Sequence, residues 1–238
     1  MRRAVFYNLA TNAALCAIVL SVGAVCLLPQ GEAVATEGGE PIVYRSAGKD
    51  TGAVSLMFNV YWGTEEVYAI LDILDDYEAK CTFFIGGSWA DDNVECLKEI
   101  ASRGHELGNH GYFHKDHKTL DARSNRQEIE NCNQFIALAT GVTPTLFAPP
   151  SGSYGKTALE ITADLNMKTI LWSKDTIDWR DKDEALVYKR ATENISGGDF
   201  VLMHPMQATK AALPNVLRYY QDNGLKAVTV TQNLQKEG

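Results

Sequence analysis

From residue 53 onward the chain alternates short runs of β-branched or aromatic residues with longer amphipathic ones, and this alternation restricts it to a β/α architecture. Buried strands are expected over residues 53–58 and 80–85, with further strands over 106–109, 145–148, 168–173, 200–203 and 227–230. Between the first two, residues 64–77 carry Val67, Ile70, Leu71 and Leu74 at helical spacing. Thr64 reads as the N-cap of that helix, and Glu65 and Glu66 suit the positive end of its dipole. Other helices are expected over 91–102, 124–140, 156–165, 183–194 and 209–222, with Gly104, Gly141 and Gly224 at or near C-terminal stops. No internal repeat or low-complexity tract is found.

Residues 1–29 are a targeting segment and stand apart from the fold: Arg2 and Arg3 precede an apolar stretch strongest over 13–28. Ala33-Val34-Ala35 fits a cleavage site, which favours a removed signal peptide. Apolar character from Ala4 onward is also long enough for a bilayer-spanning anchor, so membrane attachment holds if the segment stays uncleaved. Either way the leading arginines place the remainder of the chain outside the cytoplasm. Residues 30–52, rich in Gly, Glu and Ala, read as an extracytoplasmic tether, and residues 53–238 as one folded domain. A chain of 238 residues, 45% hydrophobic, suffices for one domain of the β/α-barrel size class. The formal net charge of -8, with no basic stripe, argues against a nucleic-acid partner. Cys16 and Cys26 lie in the apolar segment, and Cys81, Cys96 and Cys132 leave an odd number beyond it, so no disulfide framework is indicated.

Chemistry enters at Asn109-His110-Gly111-Tyr112-Phe113-His114, where a His-x-x-x-His pair after a short strand can place two imidazoles on one divalent metal. The bland alternative is a pair of solvated or capping histidines. Further blocks stand at Phe147-Ala148-Pro149-Pro150-Ser151-Gly152, at Trp172-Ser173-Lys174-Asp175-Thr176-Ile177-Asp178-Trp179 and at Asp199-Phe200-Val201-Leu202-Met203-His204. Each falls just after an expected strand, and in a β/α barrel the C-terminal strand ends converge on one face. A doubly wound sheet would show the same alternation, but it gathers ligand loops around a switch point instead of from every strand.

This ordered series resembles the signature blocks of the polysaccharide deacetylase (NodB-homology) family, over roughly residue 53 to the C-terminus. The resemblance implies an irregular β/α barrel, a divalent metal, zinc first, and removal of N-acetyl groups from cell-wall polysaccharide, with peptidoglycan as the leading substrate. His110 and His114 match the metal histidines, Asp178 and Trp179 the fourth block, and Leu202 and His204 the fifth. Family chemistry then makes His204 the acid that protonates the leaving amine and Asp178 the residue that holds and tunes it. Trp179 and Leu202 become walls for the acetyl group or the sugar. Trp62, Tyr112, Pro150 and Ser151 join them as candidate substrate-binding residues.

The departures from the pattern weigh as much as the matches. Where the family carries a base Asp followed by a metal Asp, this chain has Asn59 and Val60. A carboxamide takes no proton near neutral pH, and Val ligates nothing. Ala148 stands in place of the arginine that orients the base, and Ser151 at an aromatic position. The Asn-Val-Tyr-Trp-Gly form of the first block resembles the sporulation-associated branch, in which the acidic pair is often incomplete. Two readings compete: a metal-dependent deacetylase with an altered site, in which Asp175 serves as base or ligand, or a non-catalytic glycan-binding domain that keeps the barrel and groove. The bland alternative for Asp175 is a structural Asp capping a turn, and for the aromatics it is rim packing. His105 reads as a strand anchor, and His117 as an exposed loop histidine.

Overall fold

The computed structural model describes residues 42–48 and 50–235. The targeting segment, the cleavage-site triplet, Cys16, Cys26 and most of the tether lie outside the described residues. Among the described residues no helix is long and apolar enough to cross a membrane.

The strands are β1 (Val43–Tyr44), β2 (Ala53–Val60), β3 (Thr82–Ile85), β4 (Glu106–Asn109), β5 (Leu146–Phe147), β6 (Lys168–Ile170), β7 (Lys174–Asp175), β8 (Phe200–Met203) and β9 (Lys226–Ala227). The helices are α1 (Thr64–Asp76), α2 (Gly87–Asp92), α3 (Val94–Ser102), α4 (Ala122–Thr140), α5 (Lys156–Asp164), α6 (Asp178–Asp181), α7 (Glu184–Thr192), α8 (Gln207–Asp222) and α9 (Val230–Gln235). The strands form one sheet in the order β1-β6-β5-β4-β3-β2-β8-β7, with β9 against β2, and every ladder between them is parallel. Since β6 and β7 are joined by only residues 171–173 yet stand near opposite ends of that order, the sheet curls back on itself as an irregular β/α barrel.

Parallel strands covered on both faces read as continuous apolar runs, and β2 shows why. All eight of its residues are buried, but they serve two cores. Val54, Leu56, Phe58 and Val60 pack outward against Val67, Ile70, Leu71 and Leu74 of α1 and Leu213, Val216 and Leu217 of α8. Met57 points inward and meets Phe84, Leu146, Ala148, Ile170, Phe200 and Leu202. Asn59 shares Met57's parity and so faces the barrel interior near its C-terminal mouth.

Several boundaries differ from those expected, each for a local reason. The helix expected over 91–102 is two helices, because Asn93 leaves the helical region and its side-chain amide donates to the Trp89 carbonyl at 2.7 Å. The strand expected over 168–173 divides as the chain passes from Tyr44, whose carbonyl takes the Leu171 N–H, to Phe200, whose carbonyl takes the Ser173 N–H. Gly63, not Thr64, stands at the N-cap of α1, with φ 77°, and a Cβ there would come within 2.3 Å of the Pro205 carbonyl oxygen. The Thr64 hydroxyl instead donates to Asn93 and accepts from the Trp89 indole. Residues 43–44, within the stretch read as tether, form the strand β1 on β6. Asp178, read as a loop residue, opens the short helix α6.

Candidate functional site

The C-terminal ends of the strands surround a pocket of about 320 Å³ lined by Asn59, Trp62, His110, His114, Ser151, Trp172, Asp175, Trp179, Leu202 and His204. Asn59 comes from the end of β2, His110 directly succeeds β4, Asp175 ends β7, and Leu202 and His204 belong to β8 and the residue just beyond it. The parallel barrel, by aligning its strand ends, brings together residues from Asn59 to His204 that are remote in sequence.

The His204 side of the pocket is built on Asp178, which is fully buried beneath it. Its carboxylate accepts from His204 Nδ1 at 2.7 Å, from the His204 backbone N–H at 2.7 Å, from the Trp179 N–H at 2.8 Å and from the Thr209 hydroxyl. Four donors balance a charge that would otherwise be prohibitive to bury. With Nδ1 committed to the carboxylate, His204 keeps Nε2 for the pocket. The Trp62 indole lies flat on the other face of this imidazole, with ring centroids 5.7 Å apart.

The opposite side holds His110 and His114. His110 Nδ1 donates to the Ala148 carbonyl at 2.7 Å, which leaves Nε2 bare when the ring is neutral. Burial, reinforced by the neighbouring His114, pushes its pKa down to about 3. Burial also lowers that of His114. The two rings meet edge to face at 5.1 Å. The loop between them is pinned by α4: the buried Glu128 carboxylate accepts the Tyr112 and Phe113 N–H groups at 3.0 and 2.7 Å, while Asn109 accepts from the Gly111 N–H and donates to the Ile129 carbonyl. His114 itself holds a left-handed φ of 53°.

A divalent metal is what the family pattern implies, and the donor set meets that requirement in part. His110 and His114 are neutral, and His110 carries the backbone partner that orients a ligating imidazole. A catalytic zinc takes three protein ligands. The position the family fills with a metal Asp is Val60, fully buried and packed outward among helix residues. Among the described residues no group of three His, Cys, Asp or Glu side chains stands close enough to hold an ion. The residues present therefore do not fit a complete catalytic metal centre.

Asn59 is the residue that the family resemblance sets against the base. It is 4% exposed, and its Oδ1 is buried without a hydrogen-bond partner. Asp175 is half-buried in the wall, with Oδ1 taken by the Ile177 N–H at 2.8 Å, the contact of a turn-capping Asp. The arrangement can thus hold a neutral amide and move a proton at His204 Nε2, but at the end of β2 it has no group to deprotonate water.

Two residues expected in the groove stand outside the lining. The ring of Tyr112 is turned against Gly87 and the outer helical core, and Pro150 is buried beside Gly111. Trp172 is in the wall although sequence reasoning did not name it as a site residue; its signal was an aromatic residue near the end of the fifth expected strand run, at the start of the Asp175 block. His117, read as exposed, is 1% exposed and donates through Nδ1 to Asn125 at 2.7 Å. His105 does anchor the strand start, where its Nδ1 accepts the Cys81 N–H at 3.3 Å.

Comparison with known proteins agrees with this geometry. Residues 46–170 match the family model for polysaccharide deacetylase. The chain is 37% identical to the uncharacterized protein YlxY of Bacillus subtilis over 77% of its own length and 57% of that protein's. It is 30% identical to the peptidoglycan-N-acetylmuramic acid deacetylase PdaC of the same organism, over 68% of this chain and 34% of PdaC. The chain thus spans a third to somewhat over half the length of these relatives. Among solved structures, BA3943 of Bacillus anthracis, described as a CE4 family pseudoenzyme, superposes with a TM-score of 0.79 at 35% identity, covering 82% of this chain and 70% of that one. Fold, pocket and relatives agree, and the chain belongs to the polysaccharide deacetylase family.

Proposed function

We propose that this domain engages N-acetylated cell-wall polysaccharide, with peptidoglycan as the glycan class, and that it holds the glycan far better than it hydrolyses it. The observation that carries this reading is the end of β2, where a buried carboxamide and an outward-packed valine stand at the positions of base and metal carboxylate. Several relatives are peptidoglycan deacetylases by name, which supports the substrate class. The Bacillus anthracis neighbour is described as a pseudoenzyme, and one of its mutants as having restored enzymatic activity, which supports a lost and recoverable turnover. The pocket supplies a neutral polar floor, apolar walls from Leu202 and Trp172, and the exposed indoles of Trp62 and Trp179 as stacking surfaces. The apolar segment ahead of residue 30 supports an extracytoplasmic location, membrane-anchored or secreted.

One observation favours a second reading, a slow zinc-dependent deacetylase. The Asp178–His204 pair is intact, and with His110 and His114 as metal ligands and Asp175 as base the chain would lack one metal ligand and the arginine that orients the base. One experiment separates the two: the full-length chain, with zinc added, is mixed with purified peptidoglycan, and both retention and acetate release are measured. Retention with little release supports the first reading; rapid release that Asp175→Asn abolishes supports the second.

A further inference from the structure

We infer that Asn59 makes the pocket a reader of acetylation state, one that accepts an intact N-acetyl group and rejects the free amine left when that group is removed. The inference rests on the glycan-binding reading above and names the chemical form of the glycan.

Asn59 is nearly fully buried and faces the mouth of the barrel among His110, His114 and His204, and its Oδ1 has no partner among the described residues. A buried carbonyl of this kind is costly to leave unpaired, and a turn of the amide about its Cβ–Cγ bond would bring it to the pocket, where a ligand donor would satisfy it. A sugar acetamide carries one N–H donor and one carbonyl acceptor. A carboxamide carries both complements, so the pairing survives whichever way the Asn59 amide is turned. A carboxylate at this position would offer acceptors only.

The surroundings favour the neutral ligand as well. Leu202 and Trp172 supply apolar wall for an acetyl methyl. An ammonium group entering the same space would lose its water and find at Asn59 a dipole in place of a counter-charge. The carboxylate in the wall, Asp175, already has one oxygen committed to the Ile177 N–H.

The test is calorimetric titration of the full-length chain with an N-acetylglucosamine pentasaccharide and with its fully de-N-acetylated counterpart. The expected result is at least about tenfold tighter binding of the acetylated form, the value of one well-made hydrogen bond in a buried site. Asn59→Leu should abolish the preference by weakening the acetylated ligand alone. Asn59→Asp, which keeps the shape, should reverse it by attracting the amine. Equal affinity of the wild type for both oligosaccharides, or a preference unchanged in both variants, overturns the inference while leaving glycan binding standing. Binding of neither oligosaccharide overturns the glycan reading and the inference with it.

Discussion

The indole of Trp62 and the imidazole of His204 lie within 5° of parallel, with centroids 5.7 Å apart, so a residue just past β2 forms a roof over the residue just past β8. Trp62 is 42% exposed and its Nε1 points to the Met206 sulfur at 3.2 Å, so it presents one face to the imidazole and leaves surface for solvent or a sugar ring. Trp62→Ala is expected to lower stability by only about 1 kcal/mol, the scale of one aromatic pair, and to weaken oligosaccharide binding by about tenfold. Denaturant unfolding and titration of the same preparation check the two effects. Unchanged affinity would make Trp62 a packing residue of the rim.

Asp178 serves the fold as well as the pocket. Asp178→Ala strands the His204 backbone N–H and the Thr209 hydroxyl in a buried space, and a stability loss of about 3–5 kcal/mol is expected from breaking such a buried charged network. His204→Ala removes only one of the four donors and should leave the unfolding midpoint close to that of the wild type. If acetate release is detectable at all, the His204 variant should lose most of it.

Glu128 pins the loop from His110 to His114 from a helix that supplies nothing else to the pocket. Glu128→Ala frees the N–H groups of Tyr112 and Phe113, and faster amide hydrogen exchange at those two positions is the expected signature. Zinc or glycan affinity should fall along with it. Protection unchanged at Tyr112 and Phe113 would show that the loop is held by other contacts.

Supplying both of the family's carboxylates takes two changes of unequal difficulty. Asn59→Asp places a carboxylate in the pocket without altering its shape, yet alone it should raise acetate release little, because the metal ligand is still missing. Val60→Asp supplies that ligand only if the strand end rotates, since the valine is packed among α1 and α8 residues, and its stability cost should be large. The double variant is expected to bind zinc more tightly than the wild type and to release acetate at least about a hundredfold faster, the contribution of a competent base. Isothermal titration and an acetate assay read the two quantities separately.

Buried histidines set an acid limit. Burial drives the His105 pKa from 6.5 down to about 4, and that of His117 also falls. A depressed imidazole stays neutral in the folded chain while the unfolded chain takes up the proton. For His105 stability is therefore lost as pH falls from about 6.5 toward about 4, at up to about 1.4 kcal/mol per pH unit, and His117 adds to the loss in the same direction. Urea midpoints measured between pH 7 and pH 4 should track that decline. His105→Asn, which keeps an acceptor for the Cys81 N–H, should flatten it.

The parts of the fold legible in the sequence came from periodicity and from strand-end position. The strands 106–109 and 200–203 stand where expected because each is a short apolar run bounded by polar or turn residues. The convergence of His110, Asp175 and His204 came from their place at or just after strand ends, without knowledge of any contact. Side-chain direction was harder to read. Nothing in a nearly all-apolar strand says which parity faces inward, so the opposite facing of Asn59 and Val60 was not read until the two cores separated them. Glu128 lay beyond reach for another reason: a glutamate on an amphipathic helix reads as solvated, whereas here it is 4% exposed and holds a loop fifteen residues earlier.

The two-residue strand β1 bears on how the domain would respond to force. Its pairing of Val43 with Thr169 and Tyr44 with Ile170, together with the bridge from Ser46 to Asp199, lies between whatever precedes residue 42 and the long strand β2. Tension arriving along the chain from that direction would first peel this short ladder. The longer ladders that join β2 to β3 and β8 would carry load only afterwards. The short β1 ladder is thus the first that such tension would meet, ahead of the ladders that hold Asn59 in place.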